Sequence, residues 1–257
     1  MPTATAKHRS IYYESHGTGP AIALVHGAGG NHAIWWQQVA YFRKSYQVIT
    51  IDLHGFGRST RVAEGSDALE FPEDIRAVLE HANVTGAAVL GQSIGAVAAM
   101  RVALANPERV KAVIPTNSVG GINHPELNPL VKADRAKAEE LPVIDRLLTK
   151  GFQEKQAART FLFNQIGTFN DARMWEIRNL AVPGPTPDDI KAAGAQVCFI
   201  AGEIDCVLSP PTAQVAHRLV AGSTLEVVPG APHSMYWESP DIFNAALERA
   251  LKHIHGA

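Results

Sequence analysis

Ser93 stands at the centre of Gly91-Gln92-Ser93-Ile94-Gly95, directly after the apolar run 87–90 and directly before an Ala-rich helical stretch. A strand-to-helix turn this tight forces its central residue into a strained backbone conformation. Glycines are needed around it because a side chain there would collide with the neighbouring strand or helix. The hydroxyl is then held clear of the sheet, with the free amides of a helix N-terminus behind it to receive developing negative charge. A serine hydroxyl is a poor nucleophile near neutral pH, so it needs a base in hydrogen-bond reach, itself oriented by an acid.

The chain has 11 histidines, and His233 is the candidate base. It lies in Pro229-Gly230-Ala231-Pro232-His233-Ser234, in a loop leaving the carboxyl end of the last strand-like run, on the side to which the Ser93 turn also points. The candidate acid is Asp205, in Gly202-Glu203-Ile204-Asp205, just beyond the apolar run 197–201. The resulting chain order Ser93, Asp205, His233 is one that such a turn uses. Glu203 is the nearest rival and reads as a solvated loop residue. Asp52 also ends a strand-like run, but within Asp52-Leu53-His54-Gly55-Phe56-Gly57-Arg58-Ser59 its side chain is expected to cap the glycine turn. The run after the Ser93 helix ends in Thr116-Asn117-Ser118, without a carboxylate.

Backbone donors must also face the oxygen that becomes negative in a tetrahedral intermediate. The side-chain-poor loop His26-Gly27-Ala28-Gly29-Gly30 supplies one candidate, the Ala28 amide, and the first helical residue Ile94 supplies the other. The loop lacks the Gly-x-Gly-x-x-Gly spacing of a dinucleotide site, so no nucleotide cofactor is expected. His26 ends a strand and is expected to brace this loop. Gly29, His32, Cys206, Met235 and one of the adjacent Trp35 and Trp36 are candidates to face a substrate. Neighbouring helical positions point in different directions, so the other tryptophan is expected in the core or against the helical insertion. His32 reads more readily as a capping or surface residue than as a second base.

These residues need a scaffold, and the apolar pattern provides one. Runs at 22–26, 48–52, 87–91, 110–115, 197–201 and 225–228 are nearly continuously apolar, as strands buried on both faces are. Helical patterns lie between them at 33–42, 67–81, 94–105, 211–220 and 241–253. Alternation of this kind predicts a doubly wound, mostly parallel sheet in an α/β fold. The strand-like residues 10–15 and the turn cluster 16–20 predict an antiparallel hairpin leading into it. The rhythm breaks between residues 120 and 194, which carry several prolines and no buried-strand pattern. So long a stretch is not structureless inside a compact domain. The expectation is a core of residues 1–119 and 195–257 with a helical cap of residues 120–194 over Ser93.

A chain of 257 residues with 46% hydrophobic residues and a formal net charge of −2 has core enough for one such domain, and favours neither disorder nor a nucleic-acid partner. No stretch approaches the roughly 18 apolar residues of a membrane span, and the start of the chain lacks an apolar signal core, so a cytoplasmic protein is expected. Cys198 and Cys206 are too few for a disulfide framework. No histidine or cysteine spacing suggests a metal site, and neither metal nor cofactor is expected. A small-molecule substrate is the expected partner, and a homodimer is left open.

The His26-Gly27 loop, the Asp52-x-x-Gly55-x-Gly57-x-Ser59 turn, the Gly91 to Gly95 pentapeptide, Asp205 and His233 together resemble the α/β-hydrolase superfamily, in its capped, serine-nucleophile form. The resemblance covers everything except residues 120–194. Gln92 stands where the family often has His, and His54 where Arg is frequent. The resemblance implies an acyl-enzyme on Ser93 and a serine hydrolase acting on a small carboxylic ester or lactone. Two alternatives share the motifs: a carbon-carbon bond hydrolase of a vinylogous diketone, which would want a polar group for a substrate carboxylate, and a receptor or scaffold with little turnover. Lys132, Arg135, Arg159 and Arg173 are the basic residues of the insertion from which such a group would come.

Overall fold

The protein, described by a computed structural model over residues 2–256, is built on one eight-stranded sheet. Met1 and Ala257, the ends of the expected core boundaries, lie outside the described residues. The strands are β1 (Thr3–Ala6), β2 (Arg9–His16), β3 (Ala21–Val25), β4 (Gln47–Ile51), β5 (Ala87–Gln92), β6 (Val110–Thr116), β7 (Gln196–Gly202) and β8 (Thr224–Val228). They stand in the order β1-β2-β4-β3-β5-β6-β7-β8. The six strands from β4 to β8 across this order pair in parallel, and β1 and β2 are antiparallel to their neighbours.

All six apolar runs are parallel strands, within a residue or two of the expected bounds. The hairpin differs from expectation. β1 folds back on β2 around Lys7 and His8, with Lys7 at φ 55°, whereas the turn cluster at 16–20 is a crossover. It carries the chain past β4 to β3, since β2 pairs with β4 (Tyr13 opposite Ile51) and not with β3. Gly17 makes this turn at φ 79°, packed so closely on the Arg43 carbonyl that no β-carbon fits.

The helices are α1 (Trp36–Phe42), α2 (Phe71–His81), α3 (Ile94–Ala105), α4 (Leu127–Glu139), α5 (Val143–Leu147), α6 (Lys150–Lys155), α7 (Ala157–Thr168), α8 (Pro187–Ala193), α9 (Pro210–Leu219), α10 (Met235–Glu238) and α11 (Pro240–His255). Their ends follow from local chemistry. Prolines occupy the first turns of α2, α8, α9 and α11, where a missing N–H costs nothing, and α8 is held by a reciprocal capping box between Thr186 and Asp189. α2 starts at Phe71, later than the pattern suggests, and the stretch expected as one helix at 33–42 is a 3-10 turn (His32–Trp35) followed by α1.

Side chains alternate across each strand, which sorts the core into two layers. Ala23, Val25, Ile49, Ile51, Val89, Val113 and Phe199 face α2, α3 and α9, while Ile22, Leu24, Val48, Leu90, Ile114 and Ile200 face α1, α10 and α11. Each fully buried Val, Leu or Ile contributes about 1.5–3 kcal/mol. Both faces of β5 are therefore fixed in the middle of the sheet, and its end cannot shift. Between β6 and β7 the chain forms α4 to α8 and, among the described residues, no strand. Phe152, Phe163 and Ile166 of this segment join the second core layer.

Candidate active site

Ser93 sits between the last residue of β5 and the first of α3, with φ 54° and ψ −116°. The strain persists because the surroundings leave the chain no other path. A β-carbon on Gly95 would come within 2.6 Å of the Val25 and His26 carbonyl oxygens, and one on Gly91 would overlap the backbone of Gly95 and Ala96. One on Gly27 would overlap Gln92 and reach 3.2 Å from the Ser93 Cβ, so the glycine loop lies directly against the serine.

The loop after β3 is held by its own carbonyls. His26 is fully buried; its Nε2 accepts from the Leu53 amide at 3.2 Å, which leaves the proton on Nδ1 to be donated to the Gly27 oxygen at 2.8 Å. Gly30 N donates to the same oxygen at 3.1 Å. Burial pushes the His26 pKa down, consistent with a neutral ring in this brace. Among the described residues, the Ala28 and Ile94 amides have no protein acceptor.

His233 follows β8 and is buried. Its Nδ1 lies 2.9 and 3.0 Å from the two carboxylate oxygens of Asp205, whose Oδ1 also accepts from the amides of Val207 (2.8 Å) and Leu208 (3.2 Å). Asp205 is thereby fixed, and it fixes the imidazole. Among the described residues no hydrogen bond joins Ser93 to His233. Such bonds are often long before substrate binds. The structure thus brings Asp205 and His233 into direct contact and sets Ser93 in the adjoining turn, whose Gln92 reaches the His233 carbonyl at 3.4 Å.

Asn117, noted in the sequence only for lacking a carboxylate, has a positional role. At φ 51°, a conformation Asn tolerates better than most residues, its Nδ2 donates to the carbonyls of Pro232 and His233, both at 2.9 Å. Asn170, which sequence reasoning did not reach, lies buried between Gly30 and Gly57. No spacing or periodicity signals it, because its partners, the backbone of Gly30 and Gly57 and the Asn31 side chain, lie more than a hundred residues away.

The other candidates divide. Glu203 is exposed and accepts from the Gly230 amide. Asp52 caps the glycine turn as expected, accepting from the Arg58 amide at 2.9 Å, and it also holds His32 at 2.9 Å. His32 is committed there, edge-on to Tyr12 at 4.9 Å. Trp35 is fully buried against Tyr236, whereas Trp36 is half exposed and packs edge-on to Trp237. Met235 is fully buried at the start of α10. Cys206 lies half-buried beside the acid, its Sγ 3.6 Å from the Arg146 carbonyl. Burial first, and then the Asp205 charge, push its thiol pKa up. Gly29 faces Leu147 of α5 and Gly167 of α7.

The segment between β6 and β7 touches the same loops. Ser234 N donates to the Leu147 carbonyl at 3.0 Å, Thr149 bonds Glu238, and Arg159 stacks on Phe152 and donates to the Trp237 carbonyl. Among the described residues no cluster of three or more His, Cys, Asp or Glu side chains is placed to hold a metal ion, and no helix is long and apolar enough to cross a membrane.

A family model described as the alpha/beta hydrolase fold matches residues 20–131, the part of the chain that contains the glycine loop and the serine turn. The 3-oxoadipate enol-lactonase 2 of Acinetobacter baylyi is 27% identical over 97% of this chain and 96% of its own length. A candidate carbamate hydrolase of Azorhizobium caulinodans is 38% identical over 117 residues, with the match spanning 46% of this chain and 44% of that protein. A thermophilic esterase from Thermogutta terrifontis superposes with a TM-score of 0.82 at 20% identity, over 99% of this chain and 98% of the other. The chain has the α/β-hydrolase fold and is a hydrolase enzyme of that fold.

Proposed function

We propose that the protein cleaves a small carboxylic ester or lactone through an acyl-enzyme on Ser93. The observation that carries this reading is the positive-φ serine at the end of β5, one residue after Gln92, which bonds the carbonyl of a buried histidine whose Nδ1 is held by an aspartate. Ser93 Oγ attacks the substrate carbonyl carbon and His233 Nε2 takes its proton. Asp205 keeps the remaining imidazole proton on Nδ1 and stabilises the imidazolium. The carbonyl oxygen, now negative, receives the free amides of Ala28 and Ile94. Collapse of the tetrahedral intermediate breaks the bond to the alkoxy oxygen, which leaves with the proton from His233. Water, deprotonated by His233, then hydrolyses the acyl-enzyme. In a lactone the leaving hydroxyl stays tethered, and one hydroxy acid is released.

Residues 120–194 act in this reading as a cap. Leu147 facing Gly29, Gly167 against the Gly29 carbonyl, and Arg146 beside Cys206 put α5 and α7 next to the candidate oxyanion loop and the acid. The enol-lactonase relative supports the lactone side of the proposal. Carbon-carbon cleavage would call for a cationic group over Ser93. Arg159 is committed to Trp237 and Gln37, and Lys132, Arg135 and Arg173 are exposed.

The test is a panel of p-nitrophenyl esters, lactones and a vinylogous diketone, run with wild type and Ser93→Ala. Ester or lactone turnover that disappears in the variant supports the proposal. Turnover retained without the hydroxyl removes Ser93 from the mechanism. Failure of a fluorophosphonate to label Ser93 in the wild type would instead indicate a non-catalytic receptor or scaffold.

A further inference from the structure

In a trans peptide the C=O of one residue and the N–H of the next point in opposite directions. The Gly27 carbonyl and the Ala28 amide belong to one such unit. Holding the Gly27 oxygen inward, as His26 and Gly30 do, therefore turns the Ala28 N–H outward. The direction of this candidate oxyanion donor depends on where Gly30 stands.

Gly30 is itself held from the helical segment. Asn170, two residues beyond α7 and only 4% exposed, donates its Nδ2 to the Gly30 carbonyl at 3.0 Å. Its Oδ1 accepts from the Gly57 amide at 3.0 Å and from Asn31 Nδ2 at 3.2 Å. Asn31, equally buried, also donates to the Ile166 carbonyl at 3.1 Å and accepts from Ala33 N at 3.0 Å. Gly167 brings α7 so near the loop that a β-carbon would lie 3.1 Å from the Gly29 oxygen. One buried amide side chain thus joins the loop after β3, the glycine turn after β4 and the end of α7. Both ends of that amide are used.

We propose that Asn170 is a positioning residue for the oxyanion hole: through the Gly30 carbonyl it fixes the direction of the Ala28 amide, so that the hole is complete only when the end of α7 is seated on the loop. This rests on the acyl-enzyme reading of Ser93. The Gly27 oxygen retains its His26 donor when Asn170 is removed, so the hole is loosened and not abolished.

The experiment compares wild type, Asn170→Ala, Asn170→Asp and, as a control, Thr168→Ala, whose hydroxyl, among the described residues, bonds only the Gln165 carbonyl of its own helix. Asn170→Asp keeps the volume and the acceptor for Gly57 and Asn31 but loses the donor to Gly30. Rates are divided by the amount of enzyme that a fluorophosphonate titrates on Ser93, which removes any unfolded fraction. Both Asn170 variants are expected to lose roughly ten- to a hundredfold in kcat with KM within about threefold. The affinity for a boronic acid that forms a tetrahedral adduct on Ser93 is expected to fall in parallel. Thr168→Ala is expected to match wild type. Asn170→Asp with wild-type kcat and boronate affinity would overturn the inference, because the retained Gly57 bond would then be the one that matters. Loss confined to KM or to the thermal midpoint would overturn it as well. Turnover surviving in Ser93→Ala would defeat this inference and the acyl-enzyme reading together, whereas a dead Ser93→Ala beside a fully active Asn170→Asp defeats this inference alone.

Discussion

The turn at Ser93 and the helices between β6 and β7 lie against the same loop, yet they are built on opposite terms. Around the turn, backbone packs on backbone: Gly91 and Gly95 leave no room for a single carbon, and the flanking β5 and α3 are almost wholly buried. The helical segment is open. Val143, Phe161 and Phe169 are 61%, 66% and 68% exposed, and Gly151 has no atom near the place where a β-carbon would sit. It is tied to the rest through Phe152, Phe163 and Ile166 in the second core layer and through a few polar bonds, those of Asn170, Leu147, Thr149 and Arg159 among them. On the proposed reading, groups that must not move are placed where sterics fix them, and the surface that would meet a variable acyl group is placed where most side chains, Asn170 apart, can be exchanged without disturbing the chemistry.

The sharpest test of this contrast is Ser93→Ala, which is expected to lower kcat by about 10⁴-fold or more while leaving the thermal midpoint within a few degrees of wild type. Asp205→Asn comes next, with a loss of about 10³–10⁴-fold because the amide favours the wrong imidazole tautomer. Glu203→Gln is expected to stay within a fewfold of wild type, and steady-state kinetics that reversed these two would move the acid by two residues.

Gly95→Ala attacks the packing itself. Its β-carbon meets carbonyl oxygens of the neighbouring strand, so chemical denaturation should show a loss of about 3 kcal/mol or more. Gly95→Ala folding with wild-type stability would refute the steric argument for the turn.

Acid probes both regions at once. The His26 pKa is depressed by burial, so below the ordinary histidine value of about 6.5 the unfolded chain takes up a proton that the folded chain refuses. Stability is complete above that pH and falls as the pH drops through it, by up to about 1.4 kcal/mol per pH unit for this one group. Calorimetric scans from pH 7.5 to 5.5 should show the decline, and His26→Asn should flatten it. Glu70, held at about 2 by its bonds to Lys7 and Arg9, acts in a separate window: its contribution is present above about pH 4.5 and is lost as the pH falls toward 2. The smallest expected effect is Gly151→Ala, in the open helix α6, which should stabilise the protein by about 0.5–1 kcal/mol in the same denaturation assay.

The parallel strands were legible because burial on both faces demands uninterrupted apolar runs, and 22–26 or 87–91 read no other way. The candidate serine, acid and base were legible because each ends or follows such a run. The partner of β2 was not legible: Tyr13 pairs with Ile51 across a crossover, and nothing local separates that from a hairpin closing at 16–20. Trp35 and Trp36 could be told apart in principle but not assigned, since the 3-10 turn at His32–Trp35 shifts the helical phase between them. Asn117 and Asn170 act through backbone carbonyls of distant loops, and a chain's own spacing carries no trace of such partners.

The sheet order also sets a timetable. β6 is flanked by β5 on one side and by β7 on the other, and about 80 residues separate the end of β6 from the start of β7, so at some 5–20 residues per second the ribosome takes about 4–16 s to deliver the missing neighbour. Throughout that interval the apolar edge Val110–Thr116 has unpaired amides and carbonyls, the kind of edge that recruits other chains. The helices of residues 127–168 emerge in the meantime and rely on local contacts, which form fastest. A chain ended before Gln196 is expected to sediment as aggregate, whereas the full chain stays in the supernatant. The length of the helical insertion is therefore also a delay during synthesis, and variants that lengthen it should lower the yield of folded protein even when the finished enzyme is unchanged.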